Sequence, residues 1–188
     1  MKLERVLQYA KTLLTQTIEE GATVIDATAG NGHDTLFLAK LVGNTGHVYA
    51  FDIQQQALDH TKERLGSYAS RVTLINDGHE MVTNYVAQPI DAAIFNLGYL
   101  PGGDHSIVTI ATTTIEAIDR MLDLLIVGGI IILVIYHGHA GGATERDAII
   151  QHVSQYDQKY VHVLQYQFLN QKNTPPFIIA LEKVKAFS

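Results

Sequence analysis

Between an apolar run, Thr23-Val24-Ile25, and a helical pattern, Thr35-Leu36-Phe37-Leu38-Ala39, the chain reads Asp26-Ala27-Thr28-Ala29-Gly30-Asn31-Gly32-His33-Asp34. A strand that turns on glycines straight into a helix leaves few folds open. Glycines let the backbone approach a ligand closely, and the first helical turn offers N–H groups with no partner of their own. The acidic residue four positions before Gly30 narrows the ligand further. A phosphate-binding turn gains nothing from a carboxylate there, whereas a ligand carrying an amino group does.

With 188 residues the chain is long enough for a sheet covered on both faces. We expect one domain over residues 1–188, with an N-terminal helix in 1–21 and a Rossmann-like core in 22–188. No cysteine is present, which excludes disulfides, thiolate metal sites and cysteine nucleophiles. Met1-Lys2-Leu3-Glu4-Arg5 lacks the apolar stretch of a signal peptide, so a cytoplasmic protein is expected. The apolar run Leu124 to Tyr136 is too short for a bilayer and carries Gly128-Gly129. A helix end, a glycine turn and a buried strand account for it, and no membrane partner is expected. The formal net charge of −6 counts against extensive nucleic-acid contact, because phosphate neutralisation supplies much of that affinity. A local basic patch stays open.

Leu3, Val6, Leu7, Ala10, Leu13 and Leu14 recur at helical spacing, and Gly21 stands where that helix should stop. Beyond it, strands are expected at 23–27, 47–51, 72–75, 90–95, 130–136, 160–167 and 176–182. Helices are expected at 34–42, 54–65, 79–86, 110–125 and 143–155. Strands alternating with helices imply right-handed crossovers and a parallel sheet. Only the loop Leu169 to Pro175 separates the last two strands, so they should close one edge as an antiparallel hairpin. The fold class is therefore α/β: a seven-stranded, mostly parallel sheet with a C-terminal hairpin and helices on both faces.

Ligands of open parallel sheets bind beyond the carboxyl ends of the strands. The first strand ends in Asp26 and the Gly30/Gly32 turn, and the second ends in Asp52, placed to accept both hydroxyls of a ribose. The third ends in Asn76-Asp77, where Asp77 can accept from an adenine amino group, and the fourth reaches Asn96. Single acids after strands also serve as helix N-caps, a reading open for Asp52, Asp77 and Asp34; Asp34 also reads as a first-turn acid. Four successive strand ends of this kind match S-adenosylmethionine (SAM). The neighbours Ala27, Asn31, Asp34, Thr35, Gln54, Gly78 and His79 are counted with this cofactor cradle, as is Asn96 itself.

The order Asp26-x-x-x-Gly30-x-Gly32, Asp52, Asp77, Asn96 resembles class I SAM-dependent methyltransferases over nearly the whole chain. More narrowly, DATAGNGHDT, NLGYLPGGDH and YHGHAGG resemble a small bacterial family labelled as rRNA methylases. That family is understood to methylate 5-aminomethyl-2-thiouridine at the tRNA wobble position. The resemblance implies SAM as cofactor and a tRNA anticodon stem-loop as partner, with 5-methylaminomethyl-2-thiouridine as product.

Methyl transfer to an amine is largely a matter of positioning and needs no metal. Asn96 is expected to orient the acceptor nitrogen through its side-chain carbonyl. Asn96-x-Gly98-Tyr99 stands where amino-methyltransferases carry Asn/Asp-Pro-Pro-Tyr/Phe, with glycine and leucine replacing the prolines. Tyr99 either stacks on the pyrimidine or packs beside Leu100 and Pro101. The loop Tyr136 to Gly142 carries His137, assigned to substrate, and His139, assigned to proton acceptance. Asp104 and His105 are expected near the substrate. A homodimer would supply extra RNA surface. The competing readings are an rRNA or small-molecule amine methyltransferase, an NAD-dependent oxidoreductase and a non-catalytic nucleotide module. Thr35 in place of the third glycine of a dinucleotide turn speaks against the oxidoreductase.

Overall fold

The computed structural model describes residues 2–98, 102 and 108–187. Seven strands, β1 (Thr23–Asp26), β2 (His47–Phe51), β3 (Val72–Ile75), β4 (Ile90–Leu97), β5 (Leu125–Ile135), β6 (Val161–Tyr166) and β7 (Phe177–Lys183), form one sheet in the order β3-β2-β1-β4-β5-β7-β6. The first five pair in parallel, and β7 runs antiparallel between β5 and β6. This is the expected fold class.

Alternation along the strands explains why both faces are covered. Ile25, Phe51, Ala93, Phe95, Ile131 and Leu133 face one way, against Ala117, Ile118 and Met121 of α4 (Ala111–Leu124) and Ile149 and Val153 of α5 (Gly142–Val153). Val24, Val48, Ala92, Ile94, Ile130 and Ile132 face the other. There they meet Val6, Ala10 and Leu14 of α1 (Val6–Thr17) and Leu38 and Ala39 of α2 (His33–Leu41). Strands buried on both faces read as continuous apolar runs, as these do. α3 (Gln55–Leu65) lies beside α2, with Leu65 in the same core as Leu38 and Ala39, while Leu58 packs with Ala29 and Ala50.

Three expectations shift. Residues 79–86 form a 3₁₀ turn, His79–Asn84, rather than an α-helix; a segment this short serves as a connector. The fourth strand extends to Leu97, so Asn96 belongs to the strand itself. The fifth begins at Leu125, directly where α4 ends, and the expected glycine turn is instead a break in pairing. Leu125 pairs with Ile90 and Ile130 with Ala92, and Gly128 takes a φ of 85° within the extra residues. No helix among the described residues is long and apolar enough to cross a membrane.

Candidate active site

Chain winding reverses between β1 and β4, which lie side by side, and ligands of such sheets bind outside the strand ends at that reversal. Two cavities meet there, sharing Thr28, Gly30, Asn96 and Gly98 as common wall. The first, about 270 Å³, adds Ala27, Asp52, Ile53, Gln54, Asp77, Gly78, His79 and Thr109. The second, about 730 Å³, adds Leu7, Lys11, Asn31, Asp34, Tyr136, His139, Asn173 and Thr174.

The glycine turn is built by close approach. Gly32 has a φ of 77°, and a Cβ there would stand 2.8 Å from the Thr61 Cα. The Gly30 N–H donates to Asp52 Oδ2 at 2.9 Å, while the Gln54 N–H donates to Asp52 Oδ1 at 2.9 Å. Asp52 therefore ties β2 to the turn, and each oxygen keeps a further lone pair for a ligand. The Gln54 residue that caps α3 has no side-chain cap bond, so Asp52 is not that helix's N-cap. Burial raises the Asp52 pKa, and bonds from Gln54 and Gly30 oppose that rise. Asp77 accepts from the Gly78 N–H at 2.8 Å and from the Tyr85 hydroxyl at 2.8 Å. Gly78 precedes the 3₁₀ turn, and Asp77 does not cap it.

His79 is buried, with Nδ1 3.0 Å from the Ala27 carbonyl oxygen and its ring edge-on to Phe95. A carbonyl accepts only, so Nδ1 carries the proton and Nε2 is left as an acceptor. Nε2 is buried and has no hydrogen-bond partner among the described residues. Burial lowers the His79 pKa, against the bond to the Ala27 carbonyl and the charges of Glu80 and Asp52.

Asp26 stands apart from its expected role as the grip on an amino group. It has no exposed surface and lines neither cavity. Its carboxyl accepts from the Thr35 hydroxyl at 2.6 Å and the Thr28 N–H at 3.2 Å, beneath the turn it supports. Gly32 and Thr35 likewise shape the turn from behind, outside both cavities.

Asn31 lines the second cavity, and its carbonyl accepts from Arg64 Nε at 2.6 Å. Asp34 lies in the first turn of α2, whose N-cap is Gly32. It faces the second cavity and not the first. Asn96 sits between them: its backbone N–H donates to Thr28 Oγ1 at 2.7 Å, and Nδ2 donates to Asp34 Oδ2 at 2.8 Å.

The two loop histidines diverge. His139 lines the second cavity beside Gly98, whereas the His137 ring packs edge-on to Phe177, with Nδ1 3.3 Å from Arg146, and lines neither cavity. His137 thus departs from its expected place beside His139; the turn after β5 is not extended, so i and i+2 do not share a direction. Glu145, in the first turn of α5, is buried and accepts from the Thr109 and Thr114 hydroxyls at 2.9 and 3.2 Å. Burial raises its pKa, and the charge of His139 acts in the opposite direction. Tyr99, Asp104 and His105 lie outside the described residues. Among the described residues, no cluster of three or more histidines and acids could hold a metal ion.

Sequence reasoning missed Thr28, Ile53, Lys11, Tyr136, Asn173 and Thr174. Ile53 was within reach, since an exposed isoleucine directly after the strand-end Asp52 lacks a core to fill. Thr28 stands in the glycine turn itself and Tyr136 directly after β5, while Lys11 comes from α1 and Asn173 and Thr174 from the β6–β7 loop, distant in sequence and brought together only by the fold.

A family model described as "Putative rRNA methylase" matches residues 48–182. The chain belongs to this rRNA methylase family. A chloroplastic tRNA (mnm(5)s(2)U34)-methyltransferase of Arabidopsis thaliana is 40% identical over 158 residues, which is 78% of this chain and 58% of the relative. The chain thus spans rather more than half of that relative's length. Two solved structures superpose closely. A "putative rRNA-methylase" from Clostridium thermocellum is 43% identical with a TM-score of 0.96, covering 97% of this chain and 100% of that one. A "putative methyltransferase" from Streptococcus mutans in complex with SAH is 43% identical with a TM-score of 0.89, covering 96% and 99%.

Proposed function

We propose that this member of the rRNA methylase family is a SAM-dependent N-methyltransferase of tRNA. It converts wobble-position 5-aminomethyl-2-thiouridine into 5-methylaminomethyl-2-thiouridine. One observation carries the reading: Asn96 forms the wall shared by a carboxylate-lined cavity and a larger open one. The identity to the Arabidopsis enzyme supports the choice of tRNA over the ribosomal RNA of the family's label.

The first cavity suits the cofactor. Asp52 would accept the ribose hydroxyls, Asp77 would accept the adenine amino group, and Ile53 gives apolar cover to a flat base. His79 Nε2, buried and without a partner among the described residues, is one more acceptor beside this cavity. When bound, SAM supplies an electrophilic methyl group to a neutral amine. The protein's work is to orient that amine and remove its proton. Asn96 Oδ1 accepts one amine N–H and so directs the nitrogen lone pair across the shared wall. His139 faces the second cavity and takes the proton, and buried Glu145 stabilises the resulting imidazolium. The anticodon stem-loop docks over the second cavity, with its splayed bases presented to Tyr136 and the Thr174 loop. A second copy of the chain would extend that surface, and the reaction takes place in the cytosol with its tRNA.

Two substitutions separate the roles. Asp52→Ala should weaken SAM binding by about tenfold or more, since ribose hydroxyls lose a charged acceptor. Asn96→Ala should leave SAM affinity within about twofold while kcat falls by about a hundredfold, the pattern of a contact made only on the way to the transition state. Calorimetric titration beside single-turnover rates reads both. An Asn96→Ala variant that loses SAM affinity would move Asn96 into the cofactor shell, and one that keeps its kcat would refute the amine-orienting role.

A further inference from the structure

A carboxamide has two ends of opposite hydrogen-bonding character and nearly equal size. Only the carbonyl end helps an amine acceptor. If the NH₂ end faced the amine, it would donate to the nitrogen lone pair and occupy the electrons that must form the new bond. Something must therefore decide which end of Asn96 faces the second cavity.

The geometry points to Asp34 as that positioning residue. Asn96 Nδ2 donates to Asp34 Oδ2 at 2.8 Å. A carboxylate accepts and does not donate, so only the nitrogen end of the amide can settle against it, and Oδ1 is turned away. The backbone of Asn96 is anchored independently by its N–H bond to Thr28 Oγ1, so the side chain pivots from a fixed point. Asp34 itself is held in the first turn of α2, where the N-terminal dipole favours an acid, with Lys11 Nζ at 4.0 Å from its other oxygen. Its side chain is 22% exposed, on the second cavity's wall. Asp34 thus acts through Asn96 and touches neither the cofactor nor the transferred methyl.

This inference rests on the reading of Asn96 as the amine-orienting group, and its test keeps the two apart. Asp34→Asn is isosteric but offers Asn96 either a donor or an acceptor, so the amide is free to turn. Its kcat with undermodified tRNA should fall by tenfold or more while SAM affinity stays within twofold. The exchange variant Asp34→Asn/Asn96→Asp reverses the hydrogen bond and keeps an accepting oxygen toward the amine. It should recover most of the kcat lost in Asp34→Asn, a rescue that a merely structural aspartate would not give. An unchanged kcat in Asp34→Asn, lost SAM affinity, or an exchange variant no better than Asp34→Asn would each overturn the assignment. Asn96→Ala measured alongside separates the failures: a retained kcat there sinks the reading of Asn96, whereas a lost kcat with a normal Asp34→Asn sinks only the role of Asp34.

Discussion

The Asp26 carboxyl lies with no exposed surface between Thr28 and Thr35, and burial, then the charge of Asp34, raises its pKa to about 7. An unfolded aspartate titrates near 4, so between roughly pH 4 and 7 the folded chain holds a proton that the unfolded chain has released. Stability must then fall as pH rises through that window, by about 2–3 kcal/mol between pH 5 and 8 from this one group. Asp52 and Glu145, also raised by burial, add in the same direction. Asp26→Asn keeps an acceptor for the Thr35 hydroxyl and removes the titration. Urea unfolding at pH 5 and pH 8 should show a smaller loss of stability in the variant than in the wild type; an equal loss would mean that Asp26 is ionised in the fold. The carboxylate four residues before Gly30 was legible as significant from its place in the chain. Its partners were not, because the two threonines that enclose it are met only once the turn closes.

Among elements, the strand–turn–helix of β1 and α2 depends on contact with α3. Gly32 combines a positive φ with a Cβ position 2.8 Å from Thr61 Cα, whereas Gly66 has a positive φ and open space around it. Gly66→Ala should cost only its conformational strain, about 1 kcal/mol, while Gly32→Ala should cost about 2–4 kcal/mol because α2 and α3 must also separate. Thermal denaturation compares them, and equal losses would show that the α2–α3 approach is not constraining. The expected strands fall in place because apolar runs bounded by glycine and acids carry their own signal. The expected helix at 79–86 does not, since Val82 and Val86 mimic helical spacing over a segment only long enough for a 3₁₀ turn. The start of β5 was hidden for a related reason: Gly128-Gly129 reads as a turn in sequence, yet here it interrupts pairing within one strand.

For the whole molecule, the net charge of −6 and the site's position at one end of the sheet predict few phosphate contacts. The logarithm of the tRNA dissociation constant should rise with the logarithm of salt concentration with a slope of about 2–3, matching two or three neutralised phosphates. A slope near 8 would mean far more phosphate contacts than a chain of net charge −6 is expected to make. The first cavity was legible in the sequence because its residues follow strand ends in order. The second was legible only in part: Asn31, Asp34, Asn96 and His139 stand in motifs the sequence singles out, whereas Lys11 comes from α1, and Asn173 and Thr174 from the β6–β7 loop.

The most direct test incubates the purified chain with methyl-labelled SAM and RNA from cells lacking this protein, followed by nucleoside mass spectrometry. The proposed function predicts label on the aminomethyl nitrogen of wobble 2-thiouridine in tRNA, with loss of the unmethylated nucleoside. Label appearing in ribosomal RNA, or in no RNA while a small amine is methylated, would contradict it.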